Sequence, residues 1–241
     1  DKPTSHNGGI SGELDGSVTG LPDSYAMMVN ANVHKLTFST HGLEKFVKGW
    51  APSVNLDLDK FCKGEHLTFR GRASGPLNRL HAHGTMHTDF GKADLNVTLR
   101  NVIDPNRPLE IGGSASTERL DIGQIMAGIP IGECDMRTGL NATFAKDSLG
   151  IVIDSLYVDG LDVLGYKYSN IAAVGTFSQD AFDGRIVCSD PNLNFLFQGI
   201  FSLSSKTKNA LYQFYANLGY ADLHALNIDK RGVSKMSLST Q

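Results

Sequence analysis

The chain of 241 residues carries 22 Lys and Arg against 25 Asp and Glu, a formal net charge of −3. No overall field favours nucleic acid or an anionic membrane surface, and Lys and Arg are scattered singly rather than in local clusters. Hydrophobic residues at 41% exclude wholesale disorder, and no apolar run approaches the roughly 18 residues of a membrane-spanning helix.

Residues 1–9 are a polar, glycine-ending lead-in, and the opening at Asp1 reads as an internal piece of a longer protein. Residues 10–21 alternate around Gly12, Gly16 and Gly20, a strand with bends. Residues 25–39 read as a strand pair or one long bent strand. A short helical turn is expected at 43–50. At 54–61 strict alternation returns, with Val54, Leu56 and Leu58 against Asn55, Asp57 and Asp59. Residues 66–102 give strand, Gly-Pro turn, strand, Asp-Phe-Gly turn, strand. The last of these sets Ala93, Leu95, Val97 and Leu99 against Asp94, Asn96, Thr98 and Arg100. Residues 109–120 form another strand, 120–129 have the spacing of a short helix at a sheet margin, and 140–163 supply further strands.

The stretch 166–203 is the most regular. Tyr166 and Tyr168 share a face with Ile171, Ala173, Gly175 and Phe177. Phe182, Gly184, Ile186 and Cys188 follow in step, then Leu193, Phe195, Phe197, Gly199, Phe201 and Leu203. Between the last two runs, Ser189-Asp190-Pro191-Asn192 predicts a hairpin turn, because Asp bonds its own downstream backbone and Pro presets φ. A strand and short turn follow to Asp229, and 230–241 read as a polar tail. STERLDIGQIM and LGYADLHALNI share one pattern, a strand followed by a short turn. Turn signals recur at roughly the spacing of a sandwich or barrel, and no long helix intervenes. The expected fold is all-β: one domain at 10–229, a curled, mostly antiparallel sheet shaped as a trough or incomplete barrel, with one or two short helices.

The search for chemistry is negative. His81, His83 and His87 share a strand face with Thr85 and Asp89. The opposite face, Leu80, Ala82, Gly84 and Met86, is the apolar one, so the histidines read as the wet side rather than a metal site. Asp57 and Asp59 likewise read as solvated. Cys62, Cys134 and Cys188 lack metal spacing and read as small buried residues. No nucleophile elbow, phosphate loop or dinucleotide fingerprint occurs. The glycosylation patterns at Asn96 and Asn141 read as chance. The chain is expected to be non-enzymatic and to need no cofactor.

The run from Tyr166 to Leu203, followed by LYQFYANLGYADLHALNI, resembles the Bacteroidetes branch of the TamB proteins within the AsmA-like group. RASGPLNRLHAHGTMHTDFGKADLNVTL and GSASTERLDIGQIM fit the same style of repeat, so the resemblance covers most of residues 8–230. It implies a taco-like β-trough with a hydrophobic lining in the periplasm of a Gram-negative bacterium. It further implies transport of phospholipid or another acyl-chain lipid between membranes, and assembly of outer-membrane proteins with a barrel-type partner. The inner-membrane anchor and the partner-binding region would lie outside this chain. Leu95, Val97, Leu99, Leu193, Phe195, Phe197, Phe201 and Leu203 are the expected groove lining. The second reading is an extracytoplasmic adhesion or glycan-binding β-domain with an ordinary closed core, and no nucleic-acid partner is expected on either.

Overall fold

A computed structural model describes residues 9–39, 42, 45, 66–104, 106–125, 130–145, 148–178, 181–202, 212–232 and 234–240. In chain order the elements are β1 (Ile10–Thr19), β2 (Met28–Ser39), β3 (His66–Pro76), β4 (Arg79–Thr88), β5 (Gly91–Arg100) and β6 (Leu109–Asp121). Then come α1 (Ile122–Ile125), β7 (Ile131–Ala145), β8 (Ser148–Val163), β9 (Tyr166–Tyr168) and β10 (Ile171–Ser178). The last are β11 (Ala181–Asp190), β12 (Leu193–Ser202), β13 (Tyr212–Asp222) and β14 (Lys235–Thr240).

These strands form one 14-stranded antiparallel sheet whose order follows the chain, β9 and β10 both lying along β8. β1 and β14 are its two unpaired edges, so the sheet is not closed into a barrel. Substantial contacts among the described elements run only between sheet neighbours, apart from α1 against β7. Among the described residues, no second layer packs on either face.

Period-two patterning sets which side chains go where, and bulges repair it where the sequence slips phase. Along β8 the apolar series is Ile151, Ile153, then Leu156 and Val158, one residue out of step. Register shifts against both β7 and β10 fall at that slip and keep all four on one face. The step from Val33 to Leu36 in β2 is absorbed the same way. In β6 the step from Thr117 to Leu120 carries Arg119 at φ 47, held where its N–H donates to Asp135 Oδ1 at 2.6 Å.

Two rows of glycines let aromatic rings lie against bare backbone. Gly71 faces Gly84, and Gly175 faces Gly184, which faces Gly199. A Cβ on Gly71 would meet Phe69 Cζ at 2.9 Å, and one on Gly184 would meet Phe182 Cζ at 2.6 Å. This is the ring-over-glycine arrangement that pins register in curved sheets.

Two sequence expectations change in detail. The helix expected at 120–129 starts at Ile122, because β6 runs on to Asp121, whose Oδ1 accepts from Gln124 N at 3.1 Å; 126–129 lie outside the described residues. Part of the tail at 230–241 is β14, an edge strand with Met236 opposite Ala221 and Leu238 opposite Leu218. The turn at 43–50, apart from helical Lys45, and the strand at 54–61 lie outside the described residues, as do Asp57, Asp59, Cys62 and Leu203.

Candidate functional site

Register carries one apolar face across the sheet. Leu95 lies between Gly84 and Ala115, Val97 between Ala82 and Gly113, and Leu99 between Leu80 and Ile111. Six strands on, Phe195 lies between Cys188 and Leu218, and Phe197 between Ile186 and Ala216. Leu193 is opposite Ala221, and Phe201 is opposite both Phe182 and Tyr212. A single row of directly opposed residues joins the two groups: Leu99, Ile111, Ala142, Ile151, Phe177, Phe182, Phe201. Seven of the eight expected lining residues therefore share one face, spread over roughly 29 Å of sheet at the usual strand spacing.

That face is covered unevenly. The buried apolar residues of the described strands point to it, Phe182 at 5% exposure and Cys134 at 2% among them. The expected lining residues are not buried. Leu95, Val97, Leu99, Leu193, Phe195 and Phe197 are half-buried, and Phe201 is 39% exposed. Rings on this face form a chain, with centroids 4.7 Å apart for Phe177–Phe182, 6.1 Å for Phe182–Phe197 and 5.3 Å for Phe197–Phe214. Such offset, tilted pairs add about 0.5–1.5 kcal/mol each beyond their burial.

One end of the face is capped, and only half of that cap is legible in the residue pattern. Asp222 Oδ1 accepts from Ala225 N at 3.0 Å, the same device as Asp121 at α1, which gives the shared STERLDIGQIM and LGYADLHALNI pattern a physical meaning. The turn so formed buries Leu226 to 1% exposure, and Asn227 Nδ2 donates to Leu164 O at 3.3 Å, bridging back to the β8–β9 turn. Beside it the expected Asp190-Pro191-Asn192 hairpin forms, Asp190 Oδ1 accepting from Asn192 N at 2.8 Å. The unexpected partner is Tyr166, whose hydroxyl donates to Asp190, while Ser169 donates to it through both N–H and Oγ–H at 2.9 Å. Cys134 and Cys188 are buried toward this end, and burial pushes both thiols up.

Burial alone would push the Asp190 carboxyl up, but the hydrogen bonds from Tyr166, Asn192 and Ser169 outweigh it and hold it below the ordinary value of 3.8. A carboxyl depressed on folding stabilises the native state above its unfolded pKa, and that stability is lost as pH falls through the folded value. Thermal unfolding followed by circular dichroism from pH 7 to pH 2 should therefore show Tm falling below about pH 4. In Asp190→Asn that fall is shallower but still present. Asp222, held low by the Ala225 N–H, and Asp229, lowered to about 2 by Arg231, still contribute. An unchanged slope in Asp190→Asn would refute the role given to this network.

The opposite face is polar. Lys92 pairs with Glu118 at 2.6 Å, Thr85 donates to Asp94 at 2.6 Å, and Asn141 donates to Asp154 at 2.7 Å. His81, His83 and His87 lie on this face, and no group of three or more metal-binding side chains forms among the described residues. Asn96 and Asn141 are exposed there. The grooves on this side are shallow. The one of about 420 Å³ is floored by Ser114, Ser116 and Gly139 between Asp94 and Arg137. Val152, Tyr157 and Val174 are exposed apolar exceptions on β8 and β10. Comparison with known proteins returns no match to any family model, curated protein or solved structure.

Proposed function

We propose that this chain is a non-enzymatic cell-envelope module of the TamB type, whose apolar face is a trough for the acyl chains of phospholipids. The observation that supports the reading is a continuous apolar face over which no second layer packs among the described residues, leaving its aromatic and aliphatic side chains half-exposed. Monomeric soluble proteins rarely leave so large an apolar surface without a partner. Each methylene brought into such a groove contributes about 0.8 kcal/mol, so six would hold a chain by roughly 5 kcal/mol. Movement along a trough needs many similar, shallow sites rather than one deep pocket, as conduction needs in a pore. A lining of Leu95, Val97, Leu99, Phe195, Phe197 and Phe201 has that character. On this reading the protein works in the periplasm. The membrane anchor and the contact with an outer-membrane barrel-assembly partner belong to other parts of a longer chain. The adhesion reading needs a closed core, and an open single sheet gives it no support.

The test is native mass spectrometry of the purified chain, with lipid extraction from the same sample. Phospholipid or fatty acid should co-purify and leave on unfolding. Phe195→Gln/Phe197→Gln should lose it, and so should the less buried Phe201→Gln, with unfolding curves showing that the variants still fold. A clean apo mass that takes up no added lipid refutes the trough.

A further inference from the structure

The basic residues that stand singly in the sequence are gathered by strand register on the polar face. β3 carries Arg70 and Arg72 there, β4 carries Arg79, His81, His83 and His87, and β5 carries Lys92 and Arg100. Arg72 stands opposite His83, Arg79 opposite Arg100, and His87 opposite Lys92. Arg79 and Arg100 are like charges directly opposed across a strand pair, which is destabilising, so folding alone does not account for their placement. Acidic partners are few. Asp94 is the one carboxylate on this face of the three strands and is hydrogen-bonded by Thr85, while Asp89 sits in the turn beyond His87. On β6, Glu118 holds Lys92 at 2.6 Å and Glu110 lies 3.8 Å from Arg100. Arg72 donates to Asn30 Oδ1 at 2.9 Å and to no carboxylate. Arg70, Arg72 and Arg79 are exposed and have no acidic partner among the described residues.

We infer that this strip is a docking surface for the anionic headgroup plane of a phospholipid membrane. It goes beyond the trough reading and lies on the other face of the sheet. Three adjacent strands give it a width of about 10 Å, and Arg79 to His87 a length of about 27 Å. That is a two-dimensional array of basic side chains, suited to a plane of phosphates. Its strands present no Phe, Tyr or Trp on this face, so it lacks the stacking platform that single-stranded nucleic acid uses. The apolar side chains of the same strands point the other way, so attachment is electrostatic, without insertion, and salt-sensitive.

The experiment is vesicle flotation of the full chain, with one set of vesicles of phosphatidylcholine and another containing one-third phosphatidylglycerol. The chain should float with the anionic vesicles at low salt, remain behind with the neutral ones, and be released by high salt. Each exposed Arg removed should weaken partitioning by about fivefold, so Arg70→Gln/Arg72→Gln/Arg79→Gln should lose roughly a hundredfold. Arg137→Gln/Arg185→Gln, on the same face beyond the strip, should bind as the parent does. Circular dichroism melting of each variant checks folding. Equal binding to neutral vesicles, parent-like binding by the triple variant, or capture by soluble polyphosphate with none on vesicles would each overturn the assignment.

Discussion

Gly199→Val is expected to destroy the native pairing of β12 with β13 and to leave the chain largely unfolded at room temperature. Gly199 has φ 141, and a Cβ there would lie 2.3 Å from Gln213 O and 2.5 Å from Phe214 Cα. Both are backbone atoms of the neighbouring strand, so no rotamer change relieves the clash. The strands must separate or slip, and a one-residue slip would turn Phe195, Phe197 and Phe201 to the polar side. The expected loss exceeds about 4 kcal/mol, the exceptional range for one substitution. Gly150→Ala is the control, because a Cβ there meets nothing within 4 Å. Urea unfolding of the two variants checks this, and a Gly199→Val midpoint equal to that of Gly150→Ala would sink it.

Leu226→Ala carries the second large effect. Leu226 is 1% exposed in the turn that caps one end of the apolar face, so its loss removes buried surface and leaves a cavity. Buried Leu to Ala changes destabilise by about 2–5 kcal/mol. The effect should be local first. Hydrogen exchange should quicken at Asp222, Leu226 and Asn227, whose amides bond to Asn192, Asp222 and His224, before it quickens in β5. Uniform acceleration across the sheet would show instead that the cap is not a separate unit.

Much of this fold could be read directly from alternation. In β4, β5 and β12 the apolar set and its phase were plain, because a strand with one apolar and one polar face reads with a period of two. The hairpin at Asp190 was equally plain, since Asp, Pro and Asn act on their own backbone. What escaped was whatever depended on pairing between strands. Tyr166 reaches Asp190 across 24 positions, a contact no local pattern encodes. Arg70, Arg79 and Arg100 look isolated until register stacks β3, β4 and β5, which is why a chain without basic runs still carries a basic strip. β14 went unread because KMSLST offers only two apolar residues, enough for an edge strand whose outer side needs no partner. The start of the helix near 120–129 was read early because the apolar spacing there is shared by the end of β6, which runs on to Asp121.

That sheet order equals chain order bears on how such a protein can change. Each strand depends on its two neighbours and on little else, so the array behaves as a ladder in which rungs are added in pairs. Inserting one hairpin lengthens the ladder by about 9–10 Å and leaves every other pairing as it was. Span is then a quantity evolution or design can adjust stepwise, without re-solving the packing of a shared core. Folding should follow the same grain, with neighbouring hairpins zipping from local contacts rather than waiting for distant segments to meet.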